Sequence, residues 1–299
     1  MEIVNHMLNM TYITKEDWIN HFLPKLNNDK LFVEELKQII KIQNLLLGII
    51  KLLFQNSKNS QNKLKQHILY SSLIYYYKYC TFNEISLSTL LESEKIIISA
   101  SCIFLAFKEA KGLINMDIIS GIIQSSLNNL INDKKQLKIE EINNLIIQKE
   151  YDILCSIQFN MGIDNPYEFL SMIKLYFREI HIENNVINEV IELINKYIND
   201  SILFPLYLYY TSYEIALSCI LLVKETKKYN FIDMNNIIKL YEKDIDANNI
   251  YHCARYISKI TKALENLTTI KDDNNSKEIS DSNSKNYLNF NTIASINTN

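Results

Sequence analysis

The chain has 299 residues, 47% apolar and 22% charged, enough to bury a large core without disulfides or metals. Four Gly and three Pro cannot supply the frequent turns of all-β or α/β folds, nor any Gly-rich phosphate loop, so long helices are expected. A net charge of −3 with two arginines, Arg178 and Arg255, argues against nucleic-acid binding, which relies on bidentate arginine.

Five widely spaced cysteines, Cys80, Cys102, Cys155, Cys219 and Cys253, read as reduced and mostly buried thiols of an intracellular protein. No C-x-x-C occurs, which excludes a zinc ribbon in this sequence. The longest apolar runs, 45–50 and 202–210, fall far short of the ~18 residues of a spanning helix. No basic region followed by an apolar stretch opens the sequence, so no signal peptide is expected.

In chain order, Thr14 to Asp17 resembles a capping box and predicts a short helix carrying Trp18 and Phe22 and ending near Pro24. Apolar residues at three- and four-residue steps from Phe32 through Leu36, Ile39, Ile42, Leu46 and Ile49 to Leu53 predict a long amphipathic helix over 31–55. Further helices are expected over 64–80, over 93–111 with Ser93 as cap and Gly112 as stop, over 115–127 and over 139–157. Pro166 is placed as a first helical residue, and helices are expected over 166–177, 183–201, 212–224, 233–242 and 246–267. After Thr268 the composition turns polar and rich in Asn and Ser, which predicts a disordered tail over 269–299.

The second half repeats the first. Ser101-Cys102-Ile103-Phe104-Leu105 aligns with Ser218-Cys219-Ile220-Leu221-Leu222, an offset of 117, on the third helix of each five-helix set. Ser99, Cys102, Ala106 and Ala110 form a small-residue stripe on one; Ser212, Ala216, Cys219 and Val223 form it on the other. Small stripes permit close helix approach, so each third helix is expected at the centre of a bundle. The expected architecture is all-α: an N-terminal helix and lead-in over 1–30, one bundle over 31–160, a second over 161–268, then the tail.

No constellation for catalysis stands out. The histidines His6, His21, His67, His181 and His252 form no i, i+4 pair and no H-E-x-x-H, and Ser99-Ala100-Ser101 lacks a nucleophile elbow. Glu140 and Glu141 suit a helix start, and Tyr75-Tyr76-Tyr77 points three ways on a helix, which suits core packing. No cofactor and no metal site is expected.

Several segments nevertheless carry a resemblance. Ala100 to Lys108, Ala-Ser-Cys-Ile-Phe-Leu-Ala-Phe-Lys, resembles the third helix of a cyclin box. Lys149 to Leu170 resembles the fifth helix running into a second box, with Asn165-Pro166-Tyr167-Glu168-Phe169-Leu170 close to the H-P-Y-x-F-L of transcription-type cyclins, the C, H, K, L and T group. Asn199-Asp200-Ser201 matches the N-D-S of the same group. The likeness spans about 31–267 and implies a tandem cyclin fold and a non-catalytic subunit that binds and activates a cyclin-dependent kinase of the transcription or RNA-processing type.

The same resemblance implies a heterodimer with that kinase, a nuclear location, and no direct contact with nucleic acid or membrane. Carried over residue by residue, it implies kinase binding by Lys108 on the third helix and Glu150 on the fifth, flanked by Leu105 and Leu154. Glu109, Ala110 and Lys111 depart from the usual apolar residue and two acids after the lysine, and Asn165 replaces the usual His. The M-R-A-I-L docking patch of cell-cycle cyclins is absent from the first long helix. A cyclin-fold scaffold without kinase activation, and a tandem cyclin-fold transcription factor, are the alternative readings.

Overall fold

The computed structural model describes residues 23–55, 62–130, 136–240 and 245–275. The helix expected around Trp18 and Phe22, and the tail from 276 to 299, lie outside the described residues. The described residues form two compact units, 27–163 and 164–275, with 23–26 grouped with the second. No described helix is long and apolar enough to cross a membrane.

A short helix α1, Leu23–Asn27, precedes the first unit. Pro24 stands in its first turn, where a missing N–H costs nothing. The first unit then contains α2 (Asp29–Leu53), α3 (Asn62–Phe82), α4 (Glu92–Glu109), α5 (Met116–Leu130) and α6 (Ile139–Ser156). On α2 the buried stripe runs from Phe32 to Ile49 as the spacing predicts; Leu53 is half-buried and Ile50 takes its place in the core. Helix α4 packs against α2, α3, α5 and α6, and its residues from Ile98 to Phe107 are all buried. It is the central helix.

The second unit contains α7 (Leu170–Glu179), α8 (Asn184–Ser201), α9 (Ser212–Lys227), α10 (Met234–Lys239) and α11 (Ala247–Asn275), with 3₁₀ turns at Pro166–Phe169 and Leu206–Leu208. Helix α9 packs against α8, α10, α11 and both 3₁₀ turns, with Ile215 to Val223 buried. Helix α11 continues eight residues beyond the Leu267 expected as its end, because no Gly or Pro interrupts it.

The motif residues that start the second unit are structural ties. The Asn165 side chain accepts from the Tyr167 N–H at 3.0 Å and caps the 3₁₀ turn, with Pro166 behind it. The Tyr167 hydroxyl donates to Oδ1 of Asn199 on α8. The next residue, Asp200, accepts from the Thr261 hydroxyl of α11 at 2.8 Å. Phe169 packs on Tyr213 at 4.2 Å between ring centroids. These contacts fasten the turn and α11 to α8.

Helix ends show how a chain with four glycines stops its helices. The α4 terminus closes with Gly112 N–H to Phe107 C=O at 2.8 Å and Lys111 N–H to Lys108 C=O at 3.1 Å. The left-handed residue is Lys111, with φ of 54°, not Gly112. Space is tight at Gly112: a Cβ there would lie 3.1 Å from the Phe107 ring and 3.3 Å from its carbonyl oxygen. Glu84 and His181 hold the same left-handed position after α3 and α7, at φ of 54° and 59°. A side chain in that region strains the backbone by ~1–2 kcal/mol. The exposed His181→Gly exchange relieves it, less the entropy a glycine loses on folding, and is expected to stabilise the protein by about 0.5–1 kcal/mol, read as a raised thermal midpoint.

At the α4 start Ser93 does not cap. Leu91 is the cap residue, and its N–H donates to the Glu94 carboxylate at 2.9 Å. A second Glu does the same at α6, where Glu141 accepts from the Lys138 N–H at 2.8 Å.

Tyr75, Tyr76 and Tyr77 are all buried, since α3 is covered by α2, α4 and α6. The Tyr75 hydroxyl donates to the Met161 carbonyl at 2.9 Å. The Tyr76 hydroxyl is buried with no hydrogen-bond partner among the described residues. An unmet buried hydroxyl costs ~1–3 kcal/mol, so Tyr76→Phe should raise stability by about 1 kcal/mol in a thermal melt. Of the cysteines, Cys80, Cys102, Cys219 and Cys253 are buried and Cys155 is exposed. Burial holds the Cys102 and Cys219 thiols well above their ordinary range, which keeps them protonated.

Candidate functional site

The site begins with a serine inside the first bundle. The Ser101 hydroxyl of α4 lies 2.9 Å from the Ile97 carbonyl of its own helix and 3.1 Å from the Ile146 carbonyl of α6. Because Ser101 has no bulk, α4 and α6 approach closely there, and the shared hydroxyl sets their register. Two turns further along α4 and one turn along α6, Lys108 and Glu150 meet. The Lys108 Nζ donates to Glu150 Oε1 at 2.6 Å.

The pair is unequal in exposure. The Glu150 side chain is 7% exposed, and that of Lys108 is 48% exposed. Glu150 occupies a core position, in line with the buried Ile142, Ile146 and Ile153 of α6. A carboxylate there has lost most of its water, so the lysine is what makes its charge tolerable. The Lys108 ammonium also sits 4.2 Å from the centroid of the Phe104 ring, one turn back on α4. Two attachments hold the lysine, and half of it still faces solvent.

The sequence reading needs one correction. Leu105 is 1% exposed and belongs to the core, so it cannot flank Lys108 on the surface. Four helices surround α4, and it emerges only at its two ends; Lys108, in the last turn, reaches solvent because its stem is long. Leu154 is half-buried at the margin of the pair. The exposed apolar surface next to Glu150 comes instead from Ile147 (50% exposed) and Tyr151 (62% exposed) on α6. A signal for both existed in the sequence: they lie off the 142, 146, 150, 153 stripe that α6 buries, on a face where polar residues are expected.

The residues after Lys108 have local tasks. Glu109 Oε2 lies 2.6 Å from His67 Nε2 on α3, Ala110 caps α4, and Lys111 makes the left-handed turn. A further tie joins α3 to α6, where the Lys149 ammonium reaches the Tyr79 hydroxyl and the Asp152 carboxylate, each at 3.0 Å. Among the described residues no group of three or more His, Cys, Asp or Glu is arranged to hold a metal ion.

No protein-family profile matches the chain, and no curated protein matches it. Solved structures do. The cryo-EM structure of the yeast TFIIK (Kin28/Ccl1/Tfb3) complex contains a chain 17% identical, with a TM-score of 0.50, over 83% of this chain and 96% of that one. The crystal structure of the yeast RNA Pol II CTD kinase CTDK-1 complex contains one 20% identical, with a TM-score of 0.51, over 74% of this chain and 70% of that one. The regular structure of the described residues is all helical, with one helix packed at the centre of each unit, and the likeness to these chains is one of fold. The chain has the tandem cyclin fold. In that fold α4 and α9 are the central helices of the two boxes, and the Lys108–Glu150 pair lies between the third and fifth helices of the first box.

Proposed function

We infer that the protein is a transcription-type cyclin, a non-catalytic subunit that binds and activates a cyclin-dependent kinase. The observation that carries this is the half-exposed Lys108, fixed by the buried Glu150 and Phe104 and bordered by the exposed Ile147 and Tyr151. A fixed donor beside an apolar ridge is suited to docking a partner helix: apolar contacts carry affinity, and the ammonium meets backbone carbonyls at the helix end. Lys108 is the group that reaches the partner, Glu150 positions it, and Leu154 lines the margin. One solved complex with a chain of the same fold is named as a kinase of the RNA Pol II CTD. That supports a kinase of the transcription class and, with it, a nuclear location.

The test is reconstitution. Each cyclin-dependent kinase of the source cell is purified without its cyclin and titrated with the full chain. At least one should form a one-to-one complex and gain activity on a CTD-repeat peptide. Complex formation without a gain in activity would leave only the scaffold reading.

A further inference from the structure

The two boxes repeat at the level of single hydrogen bonds. The Ser218 hydroxyl of α9 lies 2.6 Å from the Glu214 carbonyl of its own helix and 2.9 Å from the Ile250 carbonyl of α11. Ser101 makes the same pair of contacts with Ile97 and Ile146. Ser218 therefore corresponds to Ser101, and Ile250 to Ile146. Carried forward along the helices, Phe104 and Lys108 correspond to Leu221 and Glu225; Ile147, Glu150 and Tyr151 correspond to Tyr251, Ala254 and Arg255.

The second box thus presents a face equivalent to the Lys108–Glu150 face, with different chemistry. Ala254 in place of Glu150 empties the centre, and a cleft of about 450 Å³ opens there. Its floor is the buried Leu221, Leu222 and Ala254, and the exposed Tyr251 stands at its edge. Arg255, Lys259 and Lys262 follow one stripe of α11 at four- and three-residue steps and line the same cleft. Glu225 is the one acid in the lining. Like charges at such steps on a helix repel each other. Among the described residues neither Arg255 nor Lys262 has a carboxylate partner within ion-pair distance. One of the two arginines of a chain with net charge −3 is spent here.

An apolar floor between two helices, rimmed by cations, is complementary to an amphipathic helix with apolar anchors and acidic flanks. We propose that the α9–α11 cleft is a second protein-docking site, and that it takes an acidic amphipathic helix of a protein other than the kinase. The anchor enters over Ala254 against Leu221 and Leu222. The acids meet Arg255 and Lys262, and Tyr251 closes one side.

The experiment uses the full chain and an array of fluorescent peptides of about four helical turns. One set carries Leu at i, i+4 and i+7 with Glu and Asp between; the other carries Lys in place of the acids. The acidic set should bind saturably, and the basic set should not. Arg255→Glu combined with Lys262→Glu, and separately Tyr251→Ala, should each weaken binding at least about tenfold, with unchanged melting curves, since all three positions are exposed. Kinase co-purification should survive these variants, and peptide binding should survive Lys108→Ala, which separates this site from the kinase face. Equal binding of both sets, no saturable binding, or indifference to the charge reversals overturns the proposal. So does a dimer dissolved by Tyr251→Ala, which would assign the cleft to a second copy. Peptide binding that emerges only after removal of 276–299 would assign it to the chain's own tail and overturn the proposal equally.

Discussion

Lys108→Ala is expected to cripple kinase binding and also to lower stability, whereas Glu150→Ala should do mainly the first. The asymmetry follows from exposure: Lys108 is 48% exposed and Glu150 is 7% exposed. Removing the lysine strands a carboxylate in the core, which typically costs ~1–3 kcal/mol, and more where no water can enter. Removing the glutamate leaves an ammonium that solvent can hydrate, so the fold should lose less than about 1 kcal/mol. At the interface the order is the same. Loss of the desolvated contact at Lys108 should cost roughly 2–5 kcal/mol, a drop of about thirtyfold to a few thousandfold in affinity. Glu150→Ala only frees the lysine to move, and about 1–2 kcal/mol is expected. Binding isotherms and thermal melts of both variants measure the four effects. Equal melting points for the two would contradict the buried position of Glu150; unchanged affinity for both would contradict the kinase reading.

Asp200→Asn is expected to stabilise the protein near neutral pH. Burial is the main cause that pushes the Asp200 carboxyl up from 3.8 to about 6; the Thr261 hydroxyl and Lys196 pull it down, and Glu265 pushes it up. The folded state therefore keeps a proton that the unfolded chain has already released between about pH 4 and pH 6. Stability falls as pH rises through that window, and above it the ionised carboxylate costs the folded state about 2–3 kcal/mol. Asparagine removes the charge and keeps an acceptor for the Thr261 hydroxyl. The variant should gain about 2 kcal/mol at pH 7.5, some 4–8 °C in the thermal midpoint, and close to nothing at pH 4. An equal gain at both pH values would show that ionisation of Asp200 is not the cause.

Lys108 and Glu150 mark where reading along the chain succeeds and where it stops. The α2 stripe from Phe32 to Ile49 and the helical turn that opens at Pro166 are visible in the letters. So are the small-residue faces of α4 and α9, because a helix buries residues at steps of three and four whatever covers it. The repeat of five helices follows from those periods, while the likeness to a cyclin fold came from the motifs at 100–108 and 149–170. Lys108 and Glu150 came from a family pattern, and the structure brings them to 2.6 Å across 42 positions of sequence.

Which side of a helix meets solvent is decided by its neighbours. Leu105 and Lys108 share a face of α4, yet Leu105 is sealed by the surrounding helices and Lys108 emerges where they end. Ile147 and Tyr151 stand off the stripe that α6 buries, and they are left exposed because α6 is docked by its other side. Glu109 is spoken for by His67 on α3, a pairing no local pattern announces. Periodicity is a property of one helix and is written in adjacent residues; exposure is a property of the assembly and arises only when separate helices compete to cover the same surface.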